Sequence, residues 1–231
     1  MLAICGGLMR TGSVAMFQVM REIVESTGTG YAPIFPRNHE LEYWEKHIDE
    51  WAHGDDIVVA KLHRWEDFLD PFALKLKVVM TIRDMRDVAV SLMNFRGGTF
   101  ENAFHSNAFK GNLTEEIRWT INGGEDRVMT VRYEDFILVR AVTTKAVAKF
   151  IGIDISLSEA MQIEQKWNIN ANLRRAKAGY TEDHPEFMSE RHIKSGKAGQ
   201  WKTALTEEQI KTIQDHIGPT WFHDRGYDWY E

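Results

Sequence analysis

The sequence predicts an α/β protein in which a central parallel β-sheet is flanked by helices and the last third of the chain is helical. Three observations carry this. Short apolar runs at residues 2–5, 57–60, 78–82 and 128–131 have the length and the β-branched or small apolar character of strands buried on both faces of a parallel sheet. Amphipathic segments near residues 40–51, 88–95 and 143–151 alternate with these runs, the order that strand–helix–strand crossovers produce. After Val131 no strand run occurs, while helix-opening signals do.

Taken in order, the first run ends in Gly6 and Gly7, and beyond a short loop Val14, Phe17, Met20 and Val24 recur at helical spacing, so the chain opens as strand, glycine loop, helix. The runs at 57–60 and 78–82 are each followed by charged residues and then by a helix-compatible stretch. In the last third, Ser156 with Glu159 and Thr206 with Gln209 match the capping box that opens a helix, and Gly218-Pro219 ends the second of those helices. Between them residues 177–202 are rich in Gly, Lys, His and Glu and read as a long functional loop. Neither a repeat nor a low-complexity tract interrupts the chain, and a single domain over residues 1–231 is expected.

With 43% hydrophobic and 27% charged residues the chain has enough apolar material for a sizeable core. A net charge of −6 gives no basic surface for nucleic acid, so an anionic ligand must find local positive charge. The single cysteine, Cys5, excludes an internal disulfide and a cysteine metal cluster. Arg10 interrupts the first apolar stretch before a signal-peptide core forms, and no apolar run reaches membrane-spanning length, so a cytoplasmic protein without a membrane partner is expected.

Gly7-Leu8-Met9-Arg10-Thr11-Gly12-Ser13 joins the first strand to the first helix. Amides at a helix start lack intrahelical partners and sit at the positive end of the dipole, so the loop and Arg10 suit a phosphate or sulfate group. Gly7 and Gly12 have the spacing of the NTP-binding loop G-x-x-x-x-G-K-[ST], but Ser13 stands where that loop needs lysine and Val14 where it needs a magnesium-binding hydroxyl. A terminal group carrying less charge than phosphate requires neither, and no metal is expected. The same glycines also suit a plain strand–helix turn.

Residues 78–92 read Val-Val-Met-Thr-Ile-Arg-Asp-Met-Arg-Asp-Val-Ala-Val-Ser-Leu, a strand delivering Arg83 and then a helix carrying Ser91. This stretch resembles the 3'-phosphate motif of sulfotransferases that use 3'-phosphoadenosine 5'-phosphosulfate, in which an arginine and a serine eight positions on hold the phosphate. Arg10-Thr11-Gly12-Ser13 resembles the 5'-phosphosulfate loop of the same family, and Lys61-Leu62-His63 its Lys-x-His, whose histidine is the catalytic base. Arg132-Tyr133-Glu134-Asp135 is similar to the strand end whose tyrosine lies near the adenine. Lys194-Ser195-Gly196-Lys197-Ala198-Gly199-Gln200-Trp201-Lys202 is similar to the C-terminal loop over the 3'-phosphate.

The resemblance implies a P-loop-NTPase-like sulfotransferase fold and transfer of a sulfuryl group from this donor to a hydroxyl or amine of a small acceptor, with 3'-phosphoadenosine 5'-phosphate (PAP) as product. It makes His63 the base, Arg10 and Lys61 its catalytic partners, and Arg10, Thr11, Gly12, Ser13, Val14, Arg83, Ser91, Tyr133, Lys194, Ser195, Gly196 and Lys197 the cofactor site. Glu66 and Asp67 are alternative bases. Ala15 occupies the position where the family usually stacks a tryptophan on adenine, so Phe17 or Tyr133 is expected to substitute. Aromatic residues Tyr43, Trp44, Trp51, Phe100, Phe104, His105, Phe109 and Trp119 are expected to wall an acceptor pocket. The family's short C-terminal dimer pattern is matched by Lys202 and Thr206 but broken by Glu207 and Lys211, so that contact is not expected. Two other readings stay open: a P-loop small-molecule kinase, and an inactive nucleotide-binding protein of the same fold.

Overall fold

A computed structural model describes residues 1–33, 41–177 and 196–229. The chain begins with β1 (Leu2–Gly7), α1 (Ser13–Ser26), β2 (Gly30–Tyr31), α2 (Leu41–His53) and β3 (Ile57–Leu62). A 3-10 helix over Asp67–Lys75 leads into β4 (Leu76–Ile82), α3 (Met85–Arg96), α4 (Phe100–Phe104), α5 (Asn107–Gly123) and β5 (Val128–Arg132). Then follow α6 (Tyr133–Leu138), α7 (Arg140–Phe150), α8 (Leu157–Trp167) and α9 (Ile169–Lys177). The described part closes with α10 (Trp201–Ala204), α11 (Glu207–Ile217) and α12 (Pro219–Asp224).

All five strands are parallel, in the order β2-β3-β1-β4-β5. The four longer ones coincide with the apolar runs of the sequence. Two-residue β2, at the sheet edge, has no run to announce it. Along β1 the side chains alternate as a strand requires. Ala3 and Cys5 pack with Phe17, Met20 and Val147 of α1 and α7, whereas Leu2 and Ile4 pack with Trp44, Trp51 and Trp119 of α2 and α5. A third cluster joins α3, α4 and α5 to Ile213 and Phe222 of α11 and α12.

Both capping boxes are present, Ser156 with Glu159 at α8 and Thr206 with Gln209 at α11, and Gly218 ends α11. Among the described residues no strand follows β5, and no helix is long and apolar enough to cross a membrane.

Parallel strands bring their carboxyl ends to one edge. Reading across it, His63 follows β3, Gly7 ends β1, Arg83 follows β4 and Tyr133 follows β5, so residues up to 126 positions apart in the chain come to one edge, on strands spaced by roughly 4.8 Å.

Candidate active site

The loop between β1 and α1 is shaped by close packing. A Cβ on Gly7 would lie 1.8 Å from Cβ of Ser13, and one on Gly12, whose φ is 87°, would lie 2.5 Å from the Tyr133 ring. Arg10 has a φ of 67°, the left-handed region that costs a non-glycine residue roughly 1–3 kcal/mol, and the contacts around it must hold it there. Thr11 Oγ1 bonds the carbonyl of Leu8 and meets Thr81 Oγ1, both at 2.8 Å. Asn112 of α5 accepts from the Met9 N–H and donates to the Met9 carbonyl, each at 2.9 Å. The start of α1 carries no side-chain cap and no acidic residue in its first turn, so the positive end of its dipole is left unopposed by carboxylates. Ser13 is buried and Val14 half-buried in that turn.

Two arginines meet here, Arg10 from the loop itself and Arg83 from the end of β4. Arg10 Nε donates to Ser91 Oγ at 3.0 Å, and its guanidinium lies 4.6 Å from the centre of the Phe95 ring. Burial, and then the charge of Arg83, push its pKa down to about 10. Arg83 Nη2 donates to Asp87 Oδ2 at 3.2 Å and to the Lys197 carbonyl at 2.9 Å, and the guanidinium rests 4.4 Å from the centre of the Tyr133 ring. Arg83 Nε is buried without a hydrogen-bond partner among the described residues. An orphaned guanidinium donor beside an uncapped helix start is what an anionic group would satisfy.

The segment after residue 195 is fastened onto this edge. Tyr133 donates to the Gly196 carbonyl at 2.8 Å, and Asp87, fully buried, accepts the N–H of Gly199 at 2.8 Å and of Trp201 at 3.0 Å. Arg86, 1% exposed, bonds Asp84 and lies 3.8 Å from the Trp201 ring centre. The Arg-Asp-x-Arg-Asp stretch is thus a buried network. The anchoring role of Asp87 was not read from the sequence: a carboxylate one helical turn after an arginine signals their ion pair but not the segment that the carboxylate holds.

His63 and Lys61 project from the end of β3. His63 Nδ1 lies 2.5 Å from the Gly7 carbonyl, which can only accept, so Nδ1 carries the proton and Nε2 the lone pair. Lys61 Nζ, fully buried, is 2.9 Å from Nε2 and donates to it. Burial pushes Lys61 down to about 8. Burial first, and then the Lys61 charge, push His63 down to about 3, the Gly7 bond opposing this only in part. Of the alternative bases, Asp67 is exposed and pairs with Arg118 at 3.5 Å, and half-buried Glu66 has its carboxyl pushed up by burial.

The sequence-predicted residues Arg10, Thr11, Gly12, Ser13, Val14, Lys61, His63, Arg83, Ser91, Tyr133, Gly196 and Lys197 therefore gather at one edge of the sheet. Lys194 and Ser195 lie outside the described residues. Two expectations are corrected. Phe17 is fully buried on the core side of α1 and cannot stack on a ligand, which leaves Tyr133 of the two expected substitutes. Trp44, Trp51 and Trp119 fill the core beneath α2 and α5, and Phe100, Phe104 and Phe109 fill the third cluster, because each lies on the apolar stripe of its helix. Of the eight aromatic positions only Tyr43 and His105 are substantially exposed. Asn112, missed in the sequence, was detectable as a polar residue on the buried stripe Phe109, Asn112, Glu116, Trp119.

These elements define an α/β protein whose parallel sheet carries a loop opening the uncapped helix α1, with Arg10 in that loop and Arg83 at the end of the neighbouring strand β4. A family model for the sulfotransferase domain matches residues 35–226, and the chain belongs to the sulfotransferase family. The match begins after the Arg10 loop. No curated protein matches the chain in sequence.

Among solved structures, the chain is similar to a mouse sulfotransferase, SULT7A1, complexed with PAP, at 14% identity and a TM-score of 0.72 over 93% of this chain and 82% of that one. It is also similar to retinol dehydratase in complex with androsterone and the inactive cofactor PAP, at 15% identity and a TM-score of 0.65 over 100% and 82% of the two chains. The sulfotransferase domain of the Synechococcus PCC 7002 olefin synthase follows at 13% identity and a TM-score of 0.54, over 94% of each chain. At these identities the likeness establishes the fold.

Proposed function

We propose that this chain transfers a sulfuryl group from 3'-phosphoadenosine 5'-phosphosulfate to a hydroxyl or amine of a small acceptor. The observation that carries the reading is the pair of arginines near the uncapped start of α1, Arg10 in the loop before it and Arg83 at the end of β4, with a buried guanidinium donor of Arg83 unsatisfied among the described residues. When bound, the donor supplies an activated sulfuryl group and departs as PAP, the ligand carried by the mouse and retinol dehydratase structures.

Arg83, Ser91 and the 196–201 segment would hold the 3'-phosphate. Arg10 with the amides of the first turn of α1 would hold the 5' end and stabilise charge growing on the leaving oxygen, a preorganised electrostatic role. Tyr133 would lie against the adenine. Ser13 and Val14 offer neither the lysine nor the hydroxyl of a kinase loop, and the reading requires no metal.

His63 is the base in this scheme. Its Nδ1–H bond to Gly7 sets the tautomer that leaves Nε2 to take the acceptor's proton, and Lys61 occupies that Nε2 at 2.9 Å. Negative charge in the site would draw the Lys61 ammonium away, freeing the lone pair and removing the second cause of the depressed His63 pKa. A general base placed in this way contributes about 10²–10⁴ in rate. The acceptor is taken to be small by analogy with retinol dehydratase, solved with androsterone and with retinol.

Calorimetry with PAP, and separately with ATP plus magnesium, combined with a labelled-sulfate transfer assay over phenols, alcohols and amines, tests the reading. PAP binding with transfer supports it. Preference for ATP with magnesium would instead indicate a kinase, and PAP binding without transfer to any acceptor an inactive binder.

A further inference from the structure

The loop that would read the 5' end of the ligand is itself held in place, and each of its early carbonyls is engaged by a hydrogen-bond donor of the protein. The Gly7 carbonyl is taken by His63, the Leu8 carbonyl by Thr11 at 2.8 Å, and the Met9 carbonyl by the Asn112 amide at 2.9 Å. Thr11 belongs to the loop and His63 to the reacting site, whereas Asn112 comes from α5, 103 residues away in the chain, and is buried at 3% exposure. Its amide group pairs with both backbone polar groups of residue Met9, the N–H and the carbonyl, as a neighbouring strand would.

The position of this clamp matters electrostatically. Met9 precedes Arg10, whose φ of 67° is the left-handed turn that redirects the chain into α1. A peptide rotation between the two would swing the Met9 carbonyl toward the space beside the first amides of α1, presenting the negative end of a peptide dipole to an anion. An unpaired buried carbonyl is costly wherever it goes, so with Asn112 present the outward orientation is the favoured one. The same helix steadies the other side of the site, since Glu115 accepts the N–H of Trp65, two residues after His63, at 3.1 Å.

We propose that Asn112 is a positioning residue for the anion loop, keeping the Met9 peptide oriented so that the loop presents amides and Arg10, and no carbonyl, to the 5' phosphate or phosphosulfate. The inference rests on the proposed function for the identity of the ligand. It predicts an asymmetry that general loss of structure would not produce, because both hydrogen bonds of the Asn112 side chain go to Met9 in the 5' loop, while Arg83 is held by Asp87 and the Lys197 carbonyl.

The test compares wild type, Asn112→Ala and Asn112→Asp in calorimetry with PAP, adenosine 5'-phosphate and adenosine 3'-phosphate. Asn112→Asp keeps the size and the acceptor for the Met9 N–H but sets a carboxylate against the Met9 carbonyl. Both variants are expected to lose about tenfold or more in affinity for PAP and adenosine 5'-phosphate and to stay within about twofold for adenosine 3'-phosphate. Equal losses for all three ligands, or none, would overturn the inference. Wild-type protein that fails to bind PAP would count against the proposed function instead. Amide exchange in ligand-free wild type tests the clamp without any variant: the Met9 N–H is expected to exchange as slowly as the interior of α5, and exchange at open-loop rates refutes the inference even if the variants do not fold.

Discussion

Arg10 Nε donates to Ser91 Oγ at 3.0 Å, joining the first loop directly to α3 across 81 residues of chain. The serine assigned to one end of the ligand therefore also holds the arginine assigned to the other. Accepting from Arg10, the Ser91 hydroxyl keeps its own proton to donate.

Two substitutions separate these roles. Arg83→Ala is expected to weaken PAP binding by about 1.5–3 kcal/mol, the range for a charge-assisted hydrogen bond, and Ser91→Ala by less. Ser91→Ala should also lower the transfer rate at saturating donor, because it loosens Arg10. Calorimetry and single-turnover assays read the two effects. Unchanged PAP affinity in Arg83→Ala would show the second anion site to be misplaced.

Asp87 accepts from Arg83 and from two backbone amides of the C-terminal segment. Asn in its place retains one acceptor and loses the charge, leaving a buried arginine less compensated. Asp87→Asn is expected to destabilise the protein by about 1–3 kcal/mol in urea unfolding and to speed amide exchange at Gly199 and Trp201. Full protection of both amides in the variant would show that the segment is held by its other contacts.

The His63 pKa carries a pH dependence of definite sign. Its usual 6.5 falls to about 3 in the folded protein, so the unfolded chain takes up a proton that the native state refuses. The stability is intact above about pH 6.5 and is lost as pH falls from there toward 3, by an amount on the order of a few kcal/mol. Lys61→Met removes the second cause of the shift while burial remains, and should raise the His63 pKa part of the way and flatten the acid loss. Ring titration by NMR together with unfolding at pH 7 and 4.5 checks both. A wild-type ring titrating near 6.5 would contradict the assignment.

Assembly through the family's short C-terminal pattern is not expected. Thr206 caps α11, Glu207 and Glu208 occupy its first turn, and Lys211 pairs with Asp215 at 3.2 Å. Local helix chemistry accounts for each of these residues. A structure in solution or crystal that pairs Thr206 and Lys211 with a symmetry mate about a two-fold axis would refute this.

Much of this architecture could be read in advance because buried parallel strands are written as compact apolar runs, and both capping boxes are local patterns. The strand ends then place Gly7, His63, Arg83 and Tyr133 without further information. Long-range polar contacts were not legible: nothing near Asn112 in the sequence points to Met9, and nothing near Asp87 points to Gly199. The engagement of His63 Nε2 by Lys61 was foreshadowed, since alternate residues of a strand share a side. The aromatic walls were misjudged because a Trp on an amphipathic helix and a Trp facing a ligand look the same in sequence. Only the side on which each ring is packed tells them apart.

The strand order has one more consequence, for how such a protein can diversify. Gly7, Arg83 and Tyr133 close β1, β4 and β5, adjacent strands on one flank of the sheet, whereas His63 closes β3 on the other. A donor lying over the first group leaves the β3 side as the approach for whatever receives the transferred group. Under the proposed function, recognition of the two reactants would be divided between separate halves of one edge, with the Lys61–His63 pair at the seam. Changes in the segment that follows β3 would then retune the receiving partner while the nucleotide half stays as it is.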